Sequence, residues 1–169
     1  AWAAPAAPPQ PSVPAAADFL AGPASSGAMP PAEAQRPPDI VLECVHASGL
    51  DLPRVEPSRK CVVLEQGQGP WAVGRTQQPE LFAQLVPDED QRNVISRLHF
   101  ELSWEEGALH VKRVSSNVLQ IDGVPAPAQQ RVPILPGAHL GLCGPDGQNP
   151  LLVFCVRPRG PAPAPPQSQ

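Results

Sequence analysis

The sequence predicts an all-β domain, a sandwich or a barrel, set between two Pro/Ala-rich flanks. Apolar and polar residues alternate in short runs: Phe100, Leu102 and Trp104 are interleaved with Glu101 and Ser103, the period-two pattern of a half-buried strand. Turn signals built from Gly, Pro, Asp and Asn recur at intervals of roughly ten residues, as they do in sandwiches and barrels. No heptad, internal repeat or amphipathic helix competes with these two signals.

The flanks are recognised by composition. Of the 169 residues, 26 are proline. They crowd residues 1–38, from "AWAAPAAPPQPSVPAAA" to "PPAEAQRPPD", and the tail 158–169, which ends in "GPAPAPPQSQ". Such segments bury too little apolar surface to offset the entropy of ordering a chain, so both are expected to be disordered or extended. The stretch 39–157 has the usual size of a single core. The chain begins with Ala and reads as processed, or as a piece of a larger protein.

Within 39–157, "DIVLECVHAS", "KCVVLE" and "WAVGR" read as the first three strands, the third preceded by the turn-prone "QGQGP". "ELFAQLVP" fits a short strand or a helical turn. "HFELSW" and "ALHVKRV" flank Glu105, Glu106 and Gly107, a hairpin signal. "VLQIDG", "QRVPILPGAHLGL" and "LLVFCVR" supply further strands, punctuated by Asp122-Gly123, Pro136-Gly137 and "GPDGQNP".

Charge and cysteine usage exclude several classes. A net charge of −4 argues against a general nucleic-acid binder, so any positive site must be local. No run approaches the ~20 apolar residues of a membrane span, and the N-terminal flank lacks the pattern of a secretory signal. Cys44, Cys61, Cys143 and Cys155 show no CxxC spacing and lie in or beside apolar runs. They read as buried free thiols, which fits a reducing, intracellular compartment, nuclear or cytoplasmic. Neither the cysteines nor the histidines have metal-ligand spacing, and neither a metal nor a cofactor is expected.

The polar residues gather where strands meet loops. Gly74-Arg75 ends one strand, Ser96-Arg97-Leu98-His99 opens another, and Ser115-Ser116-Asn117 ends a third. A rigid β-scaffold carries recognition residues on such loops. An Arg fork, Ser hydroxyls and an Asn amide suit a phosphate dianion and the peptide that bears it. A hydrolase using Ser96 and His99 is disfavoured, because no GxSxG elbow is present and no carboxylate is placed to orient the base.

"WAVGR", "ISRLHF", "VSSNVLQIDG" and "LPGAHLGL" together resemble the ordered motif series of the forkhead-associated (FHA) domain. The resemblance spans roughly residues 40–157. It implies an antiparallel β-sandwich of about eleven strands that binds phosphothreonine in partner proteins and catalyses nothing. By position, it assigns phosphate binding to Arg75, Ser96, Arg97 and Ser116, peptide-backbone binding to Asn117, and architectural roles to Gly74 and His99. The alternative is an FHA-like structural or dimerising module that does not read phosphate. Val118 stands where the family most often has Gly; a β-branched residue resists positive φ, so the turn after Asn117 is expected to be reshaped.

Overall fold

The computed structural model describes residues 39–65 and 69–159; the readings of the flanks 1–38 and 160–169 lie outside these residues. Among the described residues, ten strands and two short α-helices follow one another. They are β1 (Asp39–Ala47), β2 (Cys61–Leu64), β3 (Trp71–Val73), α1 (Pro79–Leu85), α2 (Glu89–Val94), β4 (Phe100–Glu105) and β5 (Ala108–Arg113). Then come β6 (Leu119–Ile121), β7 (Val124–Pro125), β8 (Arg131–Ile134), β9 (His139–Cys143) and β10 (Pro150–Arg159). Strand β10 pairs Arg159 with Asp39, so Pro158 and Arg159 belong to the sheet rather than to the tail.

Two antiparallel sheets form a sandwich. One has six strands in the order β2-β1-β10-β9-β6-β7, the other four in the order β3-β4-β5-β8. Both contribute to one apolar core, in which Leu42, Phe100, Leu102, Leu119, Leu140, Leu142, Leu152 and Phe154 are fully buried. Alternation decides which residues enter it: Phe100 and Leu102 point inward on β4, and Trp104 is half-buried at its far end.

Turn chemistry sets the register. Glu106 and Gly107 both have positive φ, 52° and 79°, and close the two-residue β4–β5 hairpin. Asp122 and Gly123, at 50° and 82°, do the same between β6 and β7. Positive φ at both central residues is what a type I′ turn requires, and its twist matches that of the strands it joins. Pro133 lies on β8, an edge strand, where its missing N–H leaves no gap in the sheet.

Two short helices, α1 and α2, interrupt the run of strands between β3 and β4. The segment that fitted either a strand or a helical turn is α1, with Pro79 in the first turn and Glu80 beside it. Its Phe82 and Leu85, three apart, are fully buried, and Phe82 meets Phe154 edge to face at 6.3 Å. Burying such side chains stabilises by about 1.5–3 kcal/mol each. Helix α2 is capped by Asp88, whose carboxylate accepts from the Gln91 N–H at 3.0 Å, with Glu89 and Asp90 in its first turn.

All four cysteines are free; Cys44, Cys143 and Cys155 are buried, while Cys61 is only half-buried. Desolvation pushes the Cys44 thiol up to about 11. No helix among the described residues is long and apolar enough to cross a membrane.

Candidate functional site

Three connections converge at one end of the sandwich: the turn after β3, the segment from α2 into β4, and the β5–β6 turn. Strand β3 is short and ends against the α2–β4 segment. The Arg75 N–H donates to the Ser96 carbonyl, and the Thr76 N–H to the Arg97 carbonyl, both at 3.1 Å. This approach is possible because residue 74 has no side chain: a Cβ there would lie 2.3 Å from the Arg97 oxygen and 2.7 Å from the Leu98 Cα. Gln78 completes the corner. Its Oε1 accepts from the Gly74 N–H and its Nε2 donates to the Ala72 carbonyl, each at 3.0 Å.

The second junction joins the α2–β4 segment to the β5–β6 turn. Asn117 Nδ2 donates to Ser96 Oγ at 3.1 Å and to the Val94 carbonyl. With the amide hydrogens engaged, its side-chain oxygen keeps acceptor capacity for a ligand N–H. Ser115 Oγ donates to the Asn117 carbonyl at 2.9 Å, folding the turn on itself.

His99 lies beneath both junctions and is fully buried. Its N–H donates to the Val73 carbonyl at 2.8 Å, its carbonyl accepts from Val114 and Ser115 at 3.2 Å, and its Nε2 lies 3.2 Å from the Val118 carbonyl. Because that carbonyl can only accept, Nε2 carries the proton and Nδ1 is left buried without a hydrogen-bond partner. Burial pulls the imidazole down to about 4; the Val118 hydrogen bond opposes this, and the Arg113 charge adds to it.

Sequence reasoning missed Arg113, which staples the β5–β6 turn through backbone oxygens. Its Nε donates to Ser115 at 3.1 Å, one Nη to Ala126 at 3.1 Å and the other to Ser116 at 2.9 Å. A basic residue at a strand end is unremarkable in sequence, so no local signal marks it. Asn93 was also missed. At the end of α2, its Oδ1 accepts from a guanidinium nitrogen of Arg75. The run Pro87-Asp88-Glu89-Asp90, a cap followed by acidic residues, was the available sign of the helix that carries it.

The structure thus gathers Gly74, Arg75, Ser96, Arg97, His99, Ser116 and Asn117 around these junctions. Arg97 and Ser116 are exposed, whereas Arg75, Ser96 and Asn117 are half-buried. Val118 keeps a negative φ; among the described residues, non-glycine positive φ occurs at Glu106, Asp122 and Gln129. The turn after Asn117 therefore passes directly into strand-like pairing. The Val118 N–H donates to Gly144 at 3.3 Å, and its carbonyl accepts from Cys143 at 3.0 Å. Val118 also packs against Gly147, where a Cβ would meet it at 3.0 Å.

An apolar cavity of about 230 Å³ opens at the other end of the strands, lined by Trp104, Leu109, Ile134, Leu135, Val156 and Pro158 among others. It offers no charged group. Among the described residues, no cluster of His, Cys, Asp and Glu could hold a metal ion.

The molecule is a two-sheet antiparallel β-sandwich, with polar side chains gathered on the loops at one end. No family model matches the sequence, and no curated protein does. Similar solved structures include the FHA domain of an Arabidopsis thaliana hypothetical protein, at 15% identity over 85% of this chain and 100% of that one, with a TM-score of 0.49. Full-length yeast Pml1p is 19% identical over 74% of this chain and 85% of its own, with a TM-score of 0.49. The N-terminal FHA domain of S. cerevisiae Rad53p, solved with a phosphothreonine peptide, is 12% identical over 72% of this chain and 94% of its own, with a TM-score of 0.47.

Proposed function

We propose that this sandwich is a phosphopeptide-binding module that recognises phosphothreonine in partner proteins, as a divergent FHA domain. The observation that supports this best is the direct backbone hydrogen bond from Arg75 to Ser96, which joins the positions of an arginine and a serine at one strand end. Arg75 supplies paired donors to the phosphate oxygens, Ser96 and Ser116 supply hydroxyls, and exposed Arg97 adds positive charge to an otherwise acidic protein. Asn117, through its side-chain oxygen, takes an N–H of the peptide backbone.

The reading is of a binder rather than a catalyst. Ser96 Oγ is engaged by Asn117 and His99 Nε2 by Val118, so Ser96 and His99 are not arranged as nucleophile and base.

Matched phosphothreonine, phosphoserine and unphosphorylated peptide libraries, titrated against the domain, test the proposal. Phosphothreonine peptides are expected to bind best. The extra methyl group contributes ~0.8 kcal/mol when buried, about fourfold in affinity. Arg75→Ala is expected to weaken binding by roughly ten- to a hundredfold, since hydrogen bonds to charged groups contribute ~1.5–3 kcal/mol. Equal binding of phosphorylated and unphosphorylated peptides would leave a structural or dimerising module instead.

A further inference from the structure

We infer that Asn93 is a positioning residue for the phosphate site, holding the guanidinium of Arg75 in its receiving orientation; the inference rests on the phosphate reading above. Arginine has a long side chain with much rotamer freedom, and a fork that binds two phosphate oxygens must present one face. Backbone hydrogen bonding fixes the base of Arg75 through Ser96 but leaves its tip free to rotate. The tip is fixed by Asn93 Oδ1, which accepts from one Nη of Arg75. A guanidinium has five N–H donors, so one such bond orients the group and leaves the others for a ligand.

The chemistry of the holder matters. An amide oxygen accepts a hydrogen bond without carrying charge, so Arg75 keeps its full positive charge for a dianion. A carboxylate at the same place would neutralise the guanidinium and repel the phosphate.

The holder also stands on a firm support. Helix α2 is capped by Asp88, and Arg92, next to Asn93, donates to the Val86 carbonyl at 3.2 Å. On the other side, the Val94 carbonyl accepts from Asn117, and Ile95 is buried in the core. The residues on either side of Asn93 are therefore held, Arg92 by the Val86 carbonyl and Val94 by Asn117.

The test uses Asn93→Ala and Asn93→Asp, with Arg75→Ala as the background control. In the unliganded protein, NMR of the Arg75 guanidinium is expected to show restricted rotation in the wild type, lost in Asn93→Ala and kept in Asn93→Asp. Unchanged guanidinium dynamics in Asn93→Ala would overturn the inference, whatever the protein binds. In titrations with a phosphothreonine peptide, Asn93→Ala is expected to weaken binding about fivefold and to have no effect when Arg75 is already Ala. Asn93→Asp is expected to weaken it through charge alone. An Asn93→Ala variant that binds as well as or better than wild type, or an effect that persists without Arg75, would also overturn it. A wild type that binds no phosphopeptide would instead remove the phosphate reading and leave the guanidinium measurement to decide what Asn93 does.

Discussion

Asn117 donates its side-chain amide to the hydroxyl of Ser96 at 3.1 Å, and through the same nitrogen to the Val94 carbonyl, so the β5–β6 turn holds the segment that leads into β4. Removing the amide frees two acceptors in a half-buried place. Asn117→Ala is expected to lower stability by about 1–2 kcal/mol, read as the midpoint of thermal or denaturant unfolding. Asn117→Asp is expected to be worse, because it sets a carboxylate against a carbonyl oxygen. Equal stability of all three proteins would show that the turn and the segment are held by other contacts.

Gly74 is constrained by contact rather than by φ. A methyl group there would press on the Arg97 carbonyl and the Leu98 Cα, which are backbone and cannot swing aside. Gly74→Ala is expected to cost about 1–3 kcal/mol, the usual range for overpacking. Because the strain falls on the segment beside Ser96, amide chemical shifts of residues 96–98 are expected to move as well. A variant with wild-type stability and spectra would contradict this close approach.

Arg113→Lys preserves charge and removes the fork. A lysine ammonium is a compact donor and cannot span the carbonyls of Ser115, Ser116 and Ala126 together. A loss of about 1–3 kcal/mol in denaturant unfolding is expected, together with faster hydrogen exchange in the 115–117 turn. Lysine serving as well as arginine would mean that charge alone matters there.

His99 makes stability depend on pH in a defined window. Its folded-state pKa is about 4, below the ordinary 6.5, so the unfolded chain binds the proton more readily. The contribution is fully present above about 6.5 and is lost as pH falls toward 4, amounting to about 3 kcal/mol over that span. Unfolding free energies of the wild type and His99→Asn, measured between pH 7 and pH 4, isolate this group because the carboxylates are common to both. The wild type is expected to fall more steeply with acid. Parallel curves would show that the buried ring titrates normally.

Much of the scaffold was legible in the residues. Phe100, Leu102 and Trp104 announced β4 by alternation, the Gly-containing connection after it announced a hairpin, and Asp122-Gly123 announced a turn, because period-two burial and positive-φ turns are local properties written into neighbouring side chains. Helix α2 was not legible by the same means. It has six residues and buries none of them, so it leaves no apolar period; only its cap at Asp88 marked it.

The order of the motifs made Arg75, Ser96, Ser116 and Asn117 candidates for one site, but what holds each of them was decided by the tertiary structure. Arg75 meets Asn93, Asn117 meets Ser96 and Val94, and Arg113 meets three carbonyls because the sandwich brings three connections to one end. The same packing accommodates Val118. Gly144 and Cys143 pair with its backbone and draw it into strand geometry, so the residue needs no positive φ. Hydrogen bonds between loops distant in sequence depend on where the strands end in space, and alternation along a single strand carries no record of that position.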